Sequence, residues 1–174
     1  MNARKISLCA MGIVFMIIGS YLSINLPFTR VPFTLQVFFL FIIGLLFNPK
    51  ESFFIILGYL VLGMIGFPVF AGGKGGINVL FGPTGGYLWG FLIASPIISF
   101  ISKKGEKMKI LGIVLGLLII YLLGSIWLMY SLKINYSKAL SLGVFPFIPF
   151  DLIKGILAII ISKYLTKFKI ETLL

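Results

Sequence analysis

Between Lys5 and Arg30 the chain carries no charged residue, and uncharged runs of comparable length recur through the rest of the sequence. A helix needs about 20 consecutive apolar residues to cross the hydrocarbon of a bilayer, so a chain divided in this way is confined to membrane architectures. The spacing predicts an all-α integral membrane protein forming a single transmembrane domain over 1–174. Six transmembrane helices are expected, over 6–23, 34–47, 52–66, 87–101, 110–132 and 150–164. Pro49-Lys50-Glu51 reads as the turn after the second. The second and third runs are short, which implies tilt or local thinning of the bilayer. The first is longer than the apolar core of a secretory signal and further spans follow, so it reads as a retained helix.

Composition closes off other classes. Of 174 residues, 60% are hydrophobic and 11% charged, against about 25% charged in soluble chains. Six spans leave no room for a soluble catalytic domain. A net charge of +11 would suit nucleic acid only if it formed a basic stripe on a polar surface. Here the basic residues punctuate apolar runs, so no nucleic-acid partner is expected and the partner is the lipid bilayer. Cys9 is the one cysteine and histidine is absent. That excludes a disulfide framework, a multi-cysteine metal site and histidine-dependent catalysis.

Short cytoplasmic loops hold the excess of lysine and arginine. With an inside N-terminus, the inner segments hold Arg4, Lys5, Lys50, Lys103, Lys104, Lys107, Lys109, Lys163, Lys167 and Lys169. The outer loops hold Arg30, Lys74, Lys133 and Lys138. Both termini are therefore predicted to be cytoplasmic, in a multi-pass protein of the cytoplasmic membrane. Most of the positive charge is topological.

That orientation places three unusual segments on one side: Phe28 to Gln36, the glycine-rich stretch Gly72 to Gly86 with Asn78 inside it, and Pro146 to Asp151. Their convergence predicts an outward-facing pocket. Asp151 and Lys154 lie three apart and share a helix face. Ionisable groups inside a span are costly and usually face a bundle interior or a wet cavity, although a structural ion pair with Lys154 reaching to the interface is the competing reading. Asn78, in an apolar context, offers donors and an acceptor for a ligand or for its own loop backbone. Gln36 suits an interhelical hydrogen bond as well as a ligand. Gly73 and its neighbours permit close backbone approach. Gly73-Lys74 lacks the serine or threonine that follows the lysine of a phosphate-binding loop, so a nucleotide site is excluded. Among the aromatic residues, Tyr87 stands out for following the second glycine cluster at the outer end of its helix.

Four ordered motifs carry a resemblance. Val31-Pro32-Phe33-Thr34-Leu35-Gln36, then Gly66-Phe67-Pro68-Val69-Phe70-Ala71-Gly72-Gly73-Lys74-Gly75-Gly76, then Gly82 to Phe91, then Pro146-Phe147-Ile148-Pro149-Phe150-Asp151-Leu152-Ile153-Lys154 resemble the BioY family over essentially the whole chain. These are the biotin-binding S components of energy-coupling factor (ECF) transporters. The resemblance implies high-affinity capture of biotin from outside, no enzyme activity and no cofactor. It also implies two partners, a transmembrane coupling subunit and a pair of cytoplasmic ATPases. Asp151 and Asn78 would meet the ureido group, with Lys154 balancing Asp151 or reaching the carbonyl. Some of Phe33, Phe70 and Tyr87 would wall the rings and chain. Lys74, Arg30 or Lys154 would meet the carboxylate. One departure concerns the first helix, where such proteins commonly present an Ala-xxx-Ala docking pattern. Here Ala10 has Ile6 and Val14 at those offsets, and the small residues are Ser7, Gly12, Gly19 and Ser23.

Two other readings compete. An S component for a different small polar heterocycle would use the same pocket, and an intramembrane enzyme would use Asp151 and Lys154 as acid and base. The motif match argues against the first, and the scarcity of further polar groups in the spans against the second.

Overall fold

The computed structural model describes residues 3–171, with side chains as far as residue 167. The order of elements is α1 (Ala3–Tyr21), β1 (Ser23–Ile24), β2 (Phe33–Thr34), α2 (Gln36–Leu46), α3 (Pro49–Met64), α4 (Ile77–Leu80), α5 (Gly85–Ser102), α6 (Glu106–Leu132), α7 (Tyr136–Gly143) and α8 (Ile148–Glu171). β1 and β2 make a two-stranded antiparallel ribbon, Ser23 opposite Thr34 and Ile24 opposite Phe33.

The expectation of six spans is not met. Among the described residues, three helices are long and apolar enough to cross a membrane, α1, α5 and α6, and a fourth span results if α7 and α8, bent by 50° at their junction, count as one. The physical reason is that uncharged length is not helix length. The run after Arg30 contributes Phe33–Thr34 to a strand, starts its helix only at Gln36 and leaves it at Phe47. At about 1.5 Å per residue, the 11 residues of α2 and the 16 of α3 fall short of a hydrocarbon layer about 30 Å thick. Pro49-Lys50-Glu51 is not a turn but the start of α3, with Pro49 in its first turn and the Asn48 N–H donating to Glu51 Oε2 at 3.1 Å. Proline is tolerated there because that N–H has no helical partner to lose. The expectation of cytoplasmic termini falls on residues 1–2 and 172–174, which lie outside the described residues.

The distribution of polarity is that of a membrane protein turned outward. Ile6, Met11, Val14 and Ile18 on α1, Leu118 and Leu122 on α6, and Ile153, Ile156, Leu157 and Ile160 on α8 are exposed, whereas Gln36, Asp151 and Lys154 are buried. Water would penalise such an outside, and lipid does not. α8 shows the periodicity clearly: Asp151, Lys154, Gly155, Ala158 and Ser162 are buried, in register with Phe147 just before the helix, and the residues between them mostly face out. That spacing of threes and fours is one narrow helical stripe.

Small residues set the helix spacing. On α5, a Cβ at Gly90 would come within 3.1 Å of the Ile120 Cα of α6. On α1, Gly12 meets Ile55 of α3 and Gly19 meets the Gln36 backbone. Gly12 and Gly19 are engaged inside the molecule, whereas the exposed face of α1 combines the small Ser7 and Ala10 with the larger Ile6, Met11, Val14 and Ile18. At the end opposite the ribbon, Lys5 bridges to Glu51 at 3.4 Å, joining α1 to α3, and Glu106 meets Lys109 at 2.5 Å and Lys163 at 3.4 Å, joining α6 to α8.

Candidate binding cavity

The ends of α1, α3 and α6, the starts of α2, α5 and α8, the ribbon and the glycine-rich segment all meet at one end of the bundle. There the ribbon, the glycine-rich segment, the starts of α2, α5 and α8, and Ile120 and Tyr121 of α6 line a cavity of about 390 Å³, within the size range of small-molecule sites.

One wall is charged. Asp151 and Lys154 are 3% and 6% exposed, one turn apart at the start of α8. Lys154 Nζ donates to Asp151 Oδ1 at 2.7 Å and to the Thr34 carbonyl at 2.8 Å. It also stands 4.1 Å from the centroid of the Phe33 ring, a cation–π arrangement. Phe33 in turn packs edge-on to Phe150 at 5.1 Å. The second carboxylate oxygen, Oδ2, accepts from the Tyr121 hydroxyl at 2.8 Å. A buried ion pair is tolerated only where further hydrogen bonds satisfy its spare valences, and Thr34 and Tyr121 supply them. Each carboxylate oxygen retains a lone pair for a donor from the cavity.

The facing wall is neutral. Gln36 Nε2 donates to the Tyr59 hydroxyl at 2.6 Å, Tyr59 donates to the Val69 carbonyl at 3.1 Å, and Ser20 Oγ donates to the same carbonyl at 2.7 Å. Tyr59 and Phe70 meet edge-on at 5.5 Å. The chain then turns tightly: Phe70 N–H donates to the Lys74 carbonyl at 2.8 Å and Lys74 N–H to the Phe70 carbonyl at 3.2 Å. Gly72 and Gly73 between them have φ of 73° and 68°, left-handed values that glycine adopts without strain. Tyr87 closes a third side. Its hydroxyl donates to the Gly143 carbonyl at 2.9 Å, and its ring fits only because Gly124 and Gly143 carry no side chain where it lies.

Of the residues singled out from sequence, Asp151, Lys154, Tyr87 and Gln36 line this cavity, as do Phe70, Arg30 and Lys74. Phe33 is not on the lining but stacks on the Lys154 ammonium. Gly73 and Asn78 are exposed and off the lining, while their neighbours Gly72, Lys74 and Val79 are on it. Sequence reasoning missed Tyr121, Thr34 and Tyr59. Tyr121 had a signal: Gly112, Gly116 and Gly124 mark one face of α6, and Tyr121 falls on it with Ile113, Leu117, Ile120 and Leu128. The role of Thr34 rests on its backbone carbonyl, which no residue pattern betrays.

Fold and cavity together define a small multi-pass membrane protein built around one mostly apolar ligand pocket with a buried ion pair at its wall. The comparisons with known proteins agree. A family model described as the BioY family matches residues 1–170. The probable biotin transporter BioY of Pyrococcus horikoshii is 43% identical over 95% of this chain and 98% of its own length. The biotin transporter BioY of Thermotoga maritima is 41% identical over 89% and 91%. A crystal structure described as the S-component for biotin from an ECF-type ABC transporter superposes with a TM-score of 0.89 at 31% identity, covering 95% of this chain and 92% of that one. The S component of another bacterial ECF transporter, 16% identical with a TM-score of 0.59 over 99% of both chains, shares the fold. The chain belongs to the BioY family.

Proposed function

We propose that this protein is the biotin-capturing S component of an ECF-type transporter, and that the cavity is where biotin is held. The observation that carries the reading is the Asp151–Lys154 pair, hydrogen-bonded by Tyr121 and the Thr34 carbonyl at the wall of an otherwise largely apolar pocket. Biotin presents a cyclic urea with two N–H donors and one carbonyl, a thioether ring, and an aliphatic chain ending in a carboxylate. The urea belongs at the polar walls, where Asp151 accepts an N–H and the third Lys154 proton is free for the carbonyl. Phe70, Phe91, Phe147 and Tyr87 enclose the rings and chain. Arg30 and Lys74, exposed at the rim, meet the carboxylate. Asn78 and Gly73 share a segment with the lining residues Gly72, Lys74 and Val79.

The protein is a binding and transport subunit, not an enzyme, and needs no cofactor. Its partners are a membrane coupling subunit and a pair of ATPases, which supply the energy. Uptake of labelled biotin by cells lacking their own biotin transporter tests the whole reading. Expression with the coupling module should give biotin accumulation that excess unlabelled biotin abolishes. No biotin-dependent signal would overturn it.

A further inference from the structure

Tyr59 is fully buried on α3 and does not line the cavity, yet its hydrogen bonds fix the chemistry of the wall in front of it. The Val69 carbonyl is an acceptor only, so the Tyr59 proton is directed to it at 3.1 Å. The Ser20 hydroxyl beside it has acceptors of its own, the Ile17 and Val69 carbonyls at 2.7 Å each, so the Tyr59 oxygen is left to accept from the Gln36 amide, whose NH₂ faces it at 2.6 Å. Its Oε1 is thereby turned the other way. Among the described residues no group donates to that oxygen. Gln36 is 4% exposed, yet Oε1 is not among the sealed, unpartnered side-chain atoms, which are Ser95 Oγ and Ser102 Oγ. The open surface of Oε1 therefore faces the cavity that Gln36 lines.

We propose that Tyr59 is a positioning residue for ligand selection: by holding the Gln36 amide in one orientation it makes the α2 wall an obligate hydrogen-bond acceptor, which selects a ligand with an N–H at that point. This rests on the biotin reading above and deepens it. Asp151 accepts from the ligand on the α8 side and Gln36 on the α2 side, so the site requires a donor on each flank, as a cyclic urea provides. Without the Tyr59 hydroxyl the amide turns freely and presents NH₂ or oxygen as the ligand demands.

The test uses biotin and its two cyclic carbamate analogues, in which one or the other ureido N–H is replaced by oxygen without added bulk. Purified wild-type protein should bind biotin and reject both analogues. In Tyr59→Phe the rejection of one analogue should fall by about tenfold, while the other is still refused. In a Gln36→Leu background, Tyr59→Phe should change nothing further, because Tyr59 acts through Gln36. An unchanged biotin-to-carbamate ratio in Tyr59→Phe, or equal weakening of all three ligands, overturns the proposal and leaves the biotin reading intact. Failure of wild-type protein to bind biotin overturns both. Melting in detergent checks folding, and if Tyr59→Phe does not fold, Gln36→Leu carries the test: undiminished rejection of both carbamates there contradicts the proposal.

Discussion

The two polar walls of the cavity solve the same problem in different ways. On α8 the polar groups are charged and almost fully committed: Lys154 is shared between Asp151 and Thr34, and Asp151 between Lys154 and Tyr121. On α2 and α3 they are neutral, and the chain from Ser20 through the Val69 carbonyl and Tyr59 to Gln36 ends on an open acceptor. The first wall is locally self-sufficient but costly to desolvate, and the second is inexpensive to bury but leaves one valence for a ligand. Together they suit a small ligand that is polar at one end and enters an apolar pocket.

Breaking the charged wall should have the largest effect. Asp151→Ala strands the Lys154 ammonium in the interior. Loss of one partner of a buried pair costs about 3–5 kcal/mol, so melting in detergent should drop markedly and biotin binding should vanish. A variant that melts like the wild type would show the pair to be hydrated. Removing one support is milder: Tyr121→Phe takes the hydrogen bond from Asp151 Oδ2 but keeps the ring. A hydrogen bond to a charged group contributes about 1.5–3 kcal/mol, so biotin affinity should fall at least about tenfold, with thermal stability reduced less than in Asp151→Ala. Unchanged affinity would remove Tyr121 from the account. The rim should matter least. Arg30→Ala combined with Lys74→Ala should weaken biotin by a few-fold, on the scale of exposed ion pairs worth about 0.2–1 kcal/mol. That loss should shrink at high salt and disappear with biotin amide, which lacks the carboxylate. An equal loss for the amide would place the carboxylate elsewhere.

The contrast between the walls also shows what the sequence makes visible. Asp151 and Lys154 stand out because charge inside an apolar run is rare, and their spacing alone puts them on one face. Tyr121 does not: Tyr130 lies nearby in the same apolar run, yet Tyr130 is 73% exposed and Tyr121 is buried against Asp151. Nine residues rotate a helix through two and a half turns, so the two rings point to opposite sides, and only the glycine spacing on α6 tells which side is inside. Tyr59 and Gln36 meet across 23 positions through tertiary packing that no local pattern encodes. The number of spans was misread for a related reason. Charge marks where a run ends but not where the backbone leaves the helix, and Pro32 to Leu35 and the Phe47–Asn48 break are apolar or neutral. α7, started by the Asn135 side chain accepting from Lys138 N–H at 2.8 Å, was hidden in what reads as a loop.

The most direct test of the central claim replaces the pair without stranding either charge. In an Asp151→Leu, Lys154→Met double variant the buried charges are gone, and exchange of a buried ion pair for apolar residues of similar size is often neutral or stabilising. Titration of labelled biotin into purified wild-type protein and this variant, with melting measured on both, separates folding from recognition. The account predicts saturable one-site binding by the wild type, and a folded double variant with no detectable binding. A folded double variant that binds biotin as the wild type does would contradict it.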